Sequence, residues 1–183
     1  MTLIKSKSLL LVTVPLVILF CAVFVLFSPR RGRVIEGWQT GNNTFTVRVS
    51  AHSERLSLPG LGGAYYVFDS NTVGSDQWKE VLVFRHDTPV AIPRDQVRFV
   101  NDKIGYVFMG WMYGVTTDAG ATWAVWNAKD GLPDWECCNY NLIQDVRIAP
   151  DGNGTMDLNP IPQREGEVPE LRTKDYGRHW SLE

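Results

Sequence analysis

Residues 116–123 read TTDAGATW and residues 173–180 read TKDYGRHW, so the pattern Thr-x-Asp-x-Gly-x-x-Trp is written twice. Few short patterns restrict a chain so tightly. A Thr and an Asp two residues apart can turn their short oxygens onto nearby backbone N–H groups and hold a turn closed. A glycine two residues later supplies a positive φ that a side chain resists. A tryptophan three residues further on begins a return strand and buries its ring under the turn. Each octet therefore predicts a hairpin corner. Thr116, Asp118, Gly120 and Trp123 take the roles that Thr173, Asp175, Gly177 and Trp180 repeat.

The flanking sequence agrees. FTVRVS, residues 45–50, puts Phe45, Val47 and Val49 on one side and Thr46, Arg48 and Ser50 on the other, the period of a half-buried strand. AYYVFD, KEVLVFR, VRFVN, IGYVFMGWMYGV, TWAVW and LIQDVRI continue in the same manner, separated by turn formers such as GLGG, PDGNG and NPIPQREGEVP. No apolar stripe with a helical period occurs after residue 33, so an all-β domain is expected. VFDSNTVGSDQWKEVLVF, residues 67–84, resembles a degraded third copy of the octet with one extra residue before Trp78. The three tryptophans then stand 45 and 57 residues apart; a four-stranded repeat spans about 40–50 residues, and the longer interval has room for a loop insertion around NPIPQREGEVP.

Thr-x-Asp-x-Gly-x-x-Trp resembles the Asp-box, or BNR repeat, of sialidases, sortilin-type receptors and photosystem II assembly-factor-like propellers. Residues 97–126, with their Phe-x-Asn-x-x-x-Gly-Tyr opening, resemble one whole repeat of the last group. The resemblance implies blade-like antiparallel sheets and a structural box placed away from any active face. Three units are fewer than a propeller usually needs. The expectation is therefore a small or partial propeller, with a compact fourth sheet from residues 34–51 to which the first unit contributes, or an open sandwich-like arrangement whose edge a second copy or a partner covers. Sialidase chemistry is not expected, because AIPRD, residues 91–95, has the wrong order for the Arg-Ile-Pro motif and no Tyr/Glu pair is identifiable.

Ahead of this domain, residues 9–27 run nineteen positions without a charge. As a helix they reach about 28 Å, close to the hydrocarbon thickness of a bilayer. The stretch is longer than a signal-peptide core and ends in LFSPRRGR without a small-residue cleavage pattern, which favours a retained anchor. The organisation expected is a tail at 1–8, a transmembrane anchor at 9–27, a basic linker at 28–33 and the β domain at 34–183. The amino terminus, Lys5 and Lys7 balance Arg30, Arg31 and Arg33, so the flanking charges give no orientation. From residue 34 onward thirteen basic residues face twenty acidic ones, a net −7, which disfavours nucleic acid as a partner.

The remaining motifs point to no cofactor and no metal. Cys137 and Cys138 are adjacent, leaving paired thiols, a strained vicinal disulfide or an intermolecular bridge open. DGNGTMD, residues 151–157, imitates the start of a calcium loop but has Met156 where glycine belongs, so a hairpin turn is expected. His52, His86 and His179 share no ligand spacing. Asn42 and Asn153 begin sequons that matter only on a eukaryotic secretory route.

Aromatic residues are the better lead. Trp126 must oppose Trp123 and Val125 on its strand, and read as one strand, residues 104–115 put Trp111 and Tyr113 on the side of Val107 and Met109. Trp135 and Tyr140 lie in a loop rich in Pro, Gly and Asn and form the first candidate partner-binding platform, with Trp111 and Trp126 behind them. The function expected is a membrane-anchored, non-enzymatic protein-binding module outside the cytoplasm, resembling an assembly or immunity factor. A carbohydrate-binding or glycosidase-like domain is the alternative.

Overall fold

The computed structural model describes residues 31–54, 63–87, 90–128, 142–159 and 170–182. The apolar stretch 9–27 and the loop bearing Trp135, Cys137, Cys138 and Tyr140 lie outside these residues. Among the described residues no helix is long and apolar enough to cross a membrane.

The domain is all-β. Twelve strands form three four-stranded antiparallel sheets, each from four consecutive strands. The first holds β1 (Arg31–Gly41), β2 (Phe45–Glu54), β3 (Ala64–Thr72) and β4 (Lys79–His86). After a 3-10 turn at Arg94–Gln96, the second holds β5 (Val97–Phe99), β6 (Gly105–Met109), β7 (Met112–Thr116) and β8 (Ala124–Asn127). The third holds β9 (Ile143–Ile148), β10 (Gly154–Leu158), β11 (Glu170–Thr173) and β12 (Ser181–Leu182).

The sheets lie in series. Phe45, Val47, Val49, Phe68 and Leu82 of the first sheet pack on Val97, Val107 and Met109 of the second. On its other side the second sheet presents Tyr106, Phe108, Tyr113 and Val115 to Val146, Met156, Leu158 and Leu171 of the third. All five residues of β6 are buried, because the middle sheet has a neighbour on each side. Burying one such side chain fully contributes about 1.5–3 kcal/mol.

Several expectations need correction. Residues 34–51 do share a sheet with the first unit, as β1 and β2 beside β3 and β4, but that sheet is one of three among the described residues and not a fourth. Among the described residues the sheets close into neither a barrel nor a propeller. β1 starts at Arg31, so Arg31 and Arg33, assigned above to the linker, are part of the domain. Residues 104–115 are two strands, not one. Gly110 (φ 59) and Trp111 make a two-residue turn, and Met109 pairs with Met112. Tyr113 consequently stands opposite Phe108, on the side facing the third sheet and away from Val107 and Met109.

The two ends of the stack differ. β1 and β3 both run toward one end, where the Asn42 turn and the Val73 turn lie. Asn42 Nδ2 donates to Asn101 O at 3.0 Å, and Arg178 Nη2 donates to Thr117 Oγ1 at 2.6 Å, so the turns of all three sheets gather there. Arg31 and the Gly110–Trp111 tip occupy the opposite end.

Candidate functional site

In the first octet, Thr116 Oγ1 donates to Asp118 Oδ1 at 2.8 Å and accepts from Gly120 N at 2.9 Å. Asp118 Oδ1 also accepts from Thr122 N at 2.9 Å, and its Oδ2 accepts from Thr122 Oγ1 at 2.5 Å. The second octet repeats each bond. Thr173 Oγ1 reaches Asp175 Oδ1 at 2.8 Å and accepts from Gly177 N at 2.9 Å; His179 donates its N–H to Asp175 Oδ1 at 3.0 Å. Partial burial pushes the Asp118 carboxyl up, but the Thr122 hydroxyl and N–H and the Thr116 hydroxyl outweigh it and hold the group below its ordinary range. For Asp175, burial is likewise outweighed by the His179 ring and N–H and the Thr173 hydroxyl. Both carboxylates stay ionised with both oxygens occupied, an arrangement suited to closing a turn and unsuited to donating a proton.

Each octet also grips the preceding sheet. Trp123 meets Phe45 of the first sheet edge-on, with ring centroids 6.1 Å apart, and Trp180 meets Tyr113 of the second at 5.4 Å. A Cβ at Gly120 (φ 81) would lie 2.9 Å from Ser70 Oγ, and one at Gly177 (φ 84) only 2.4 Å from the Tyr113 hydroxyl. Sequence reasoning missed two features. Ala119 and Tyr176 also have positive φ, 59° and 62°, and their N–H groups donate to Lys103 O and Gly152 O, both at 2.9 Å. Val73, ahead of Gly74 in the degraded copy, likewise donates to Thr44 O at 2.8 Å but without the positive φ. The missing signal for the αL position is chemical: it is occupied by Ala119 and Tyr176, neither of which is a residue type that advertises a turn.

The aromatic candidates separate. Trp111 packs on Phe84 at 4.8 Å and Trp126 beside Trp180 at 6.4 Å; both are half-buried and fill the spaces between sheets. Trp135 and Tyr140 lie outside the described residues. Asp151 accepts from Asn153 N at 3.0 Å in a tight turn, and Met156 is fully buried in the core, as a hairpin requires. Among the described residues no group of three or more His, Cys, Asp or Glu could hold a metal ion.

The free sides of the two outer sheets are unlike each other. On the third sheet the outward residues are an ion-paired strip: Arg147 bonds Asp145 at 3.0 Å and Asp157 at 2.7 Å, and Arg172 bonds Glu170 at 3.0 Å. None of those side chains is buried. On the first sheet, outward-pointing Ser50 and Val67 are buried to 8% and 3% exposure. Among the described residues no further sheet lies on this side, and the sheet curls over its own face. Arg31, at the start of β1, reaches Glu80, at the start of β4, with Nη1 2.5 Å from Oε2. These are diagonally opposite corners, and a twisted sheet curls such corners toward each other. Arg48 adds a bond to Asp69 at 2.8 Å while its Cζ lies 4.3 Å from the Trp78 ring centre.

The result is a concave groove of about 620 Å³ lined by Arg31, Val34, Gln39, Arg48, His52 and Val67 among others. Sequence alternation places Arg48 and Ser50 on this side but carries no sign of the curl. The groove presents guanidinium, imidazole and amide donors over an apolar floor. It can hold an extended polar segment; within it Ser50 Oγ lies 3.0 Å from His52 Nε2, and the other ring nitrogen of His52 faces the backbone carbonyl of Gly32 at 3.5 Å rather than a carboxylate. No protein-family model matches the chain, and neither the curated proteins nor the solved structures give a match.

Proposed function

We propose that the chain is a membrane-anchored, non-enzymatic binding module that presents its β domain outside the cytoplasm and takes an extended segment of a protein partner. On this reading the three sheets are blade-like Asp-box units, and residues 9–27 are the anchor. The observation that carries the proposal is the groove on the free side of the first sheet, with buried Val67 as floor and Arg48, Gln39 and His52 as rim. The locked state of Asp118 and Asp175 supports a non-enzymatic role, since the octets have a full structural assignment. The test uses the full chain in its native membrane, with a photo-crosslinking residue at Gln39 or at Arg172. A discrete protein adduct from position 39 and none from position 172 is expected. Equal labelling from both positions contradicts the proposal.

A glycan partner is the second reading, favoured by half-buried Trp78 at the groove margin and by the aromatic loop around Trp135. The guanidinium of Arg48 already covers one face of the Trp78 ring. Tight binding on a glycan array that Trp135→Ala abolishes would favour it over a protein partner.

A further inference from the structure

The start of β1 is fixed in space by chain length. Between Phe27, the last residue of the apolar stretch, and Arg31, the first of β1, there are four backbone steps, which span at most about 14 Å. The polar zone of a bilayer is roughly 5–8 Å deep on each side. If Phe27 ends the span, the first residues of β1 lie at or just above the lipid phosphates. What stands there is suited to that place. Arg33 is exposed and forms no ion pair with a described carboxylate, and it is followed by Val34 and Ile35 at 52% and 58% exposure. The register shifts between Arg31 and Val34 and between Val34 and Glu36 loosen this segment from β2. The rest of the domain is acidic, so an anionic surface attracts this corner and repels the remainder.

We infer that the Arg33–Ile35 corner of the first sheet docks on the surface of an anionic bilayer, with Arg33 on lipid phosphate and Val34 and Ile35 in the interfacial layer. This rests on the anchored reading above and adds an orientation to it. β1 rises roughly 20–26 Å from that corner to Gly41, so the gathered turns, including both octets, form the end remote from the lipid. The groove opens sideways between the two ends.

The test places an environment-sensitive fluorescent amino acid at Ile35 or at Ala121, an exposed turn residue of the remote end, in the full chain. Each protein is reconstituted into phosphatidylcholine vesicles with or without phosphatidylglycerol, and quenching by a headgroup-labelled lipid is read. Quenching at position 35 and none at 121 is expected, stronger in the anionic vesicles. Arg33→Gln should reduce the docked-to-undocked ratio about fivefold there, the usual worth of one basic residue at an anionic surface, and leave neutral vesicles unchanged. Equal quenching at 35 and 121, or no effect of Arg33→Gln, overturns the inference. Carbonate extraction of the same vesicles separates the two failures: a chain that resists extraction but is not quenched at 35 is anchored without docking. A chain that washes off overturns the anchor as well. Unchanged circular dichroism of Arg33→Gln guards against misfolding.

Discussion

The imidazole Nδ1 of His179 lies 2.5 Å from Oδ2 of Asp175, in the position that the Thr122 hydroxyl takes against Asp118 in the other turn. Two residue types with different chemistry thus close the same corner. What the turn requires at this position is a hydrogen-bond donor of the right reach.

His179→Thr should therefore be nearly silent, changing unfolding free energy by less than about 0.5 kcal/mol. Asp118→Ala and Asp175→Ala should each cost about 1–2 kcal/mol, as loss of a capping acceptor does. Urea unfolding of the full chain in detergent micelles measures both. Equal losses for His179→Thr and Asp175→Ala would contradict the assigned roles.

The pH dependence follows from the lowered carboxyls. Asp118 and Asp175 hold their protons less tightly folded than unfolded. Their contribution is fully present above the ordinary aspartate range, about 4, and is lost as pH falls through the lower folded values. The wild-type urea midpoint should drop as pH falls below about 4 more steeply than that of Asp118→Asn/Asp175→Asn. Parallel curves for the two proteins would count against the turns as the acid-sensitive element.

Three glycines separate backbone strain from collision. Gly74, Gly120 and Gly177 all have φ between 81° and 87°, but a Cβ at Gly74 meets nothing within 4 Å. Gly74→Ala should cost about 1–2 kcal/mol, the conformational term alone. Gly177→Ala drives a methyl to within 2.4 Å of the Tyr113 hydroxyl and should cost about 1–3 kcal/mol more. Thermal unfolding ranks them, and equal losses would mean that the second and third sheets do not meet there.

The groove gives a spectroscopic expectation. Arg48→Ala removes the guanidinium from the Trp78 ring and the bond to Asp69, uncovering the indole. Trp78 emission, isolated by difference against Trp78→Phe, should shift to the red with about 1–3 kcal/mol of stability lost, because Asp69, whose side chain is 15% exposed, is left without its charged partner. An unshifted spectrum would remove Arg48 from the groove's rim.

Legibility in the sequence followed the physics of each element. Phe45, Val47 and Val49 alternate because their strand has a core on one side only, and the octets announce their turns because Thr, Asp and Gly have few other reasons to share that spacing. β6 and β7 were harder. With cores on both sides, GYVFM loses its alternation, and the run through Gly110–Trp111 reads as one strand until pairing reveals the turn. The groove left the least trace, because it arises from the curl of a whole sheet, which brings Arg31 to Glu80 across forty-nine positions.

The most direct measurement is a double-mutant cycle between Trp180 of the third sheet and Tyr113 of the second, each changed to Leu, in the full chain. If the octet pins its sheet to the one before, the two losses couple by about 0.5–1.5 kcal/mol, the usual worth of an edge-on aromatic pair. Losses that add to within about 0.3 kcal/mol would show two tryptophan-bearing turns that close on themselves and hold nothing else.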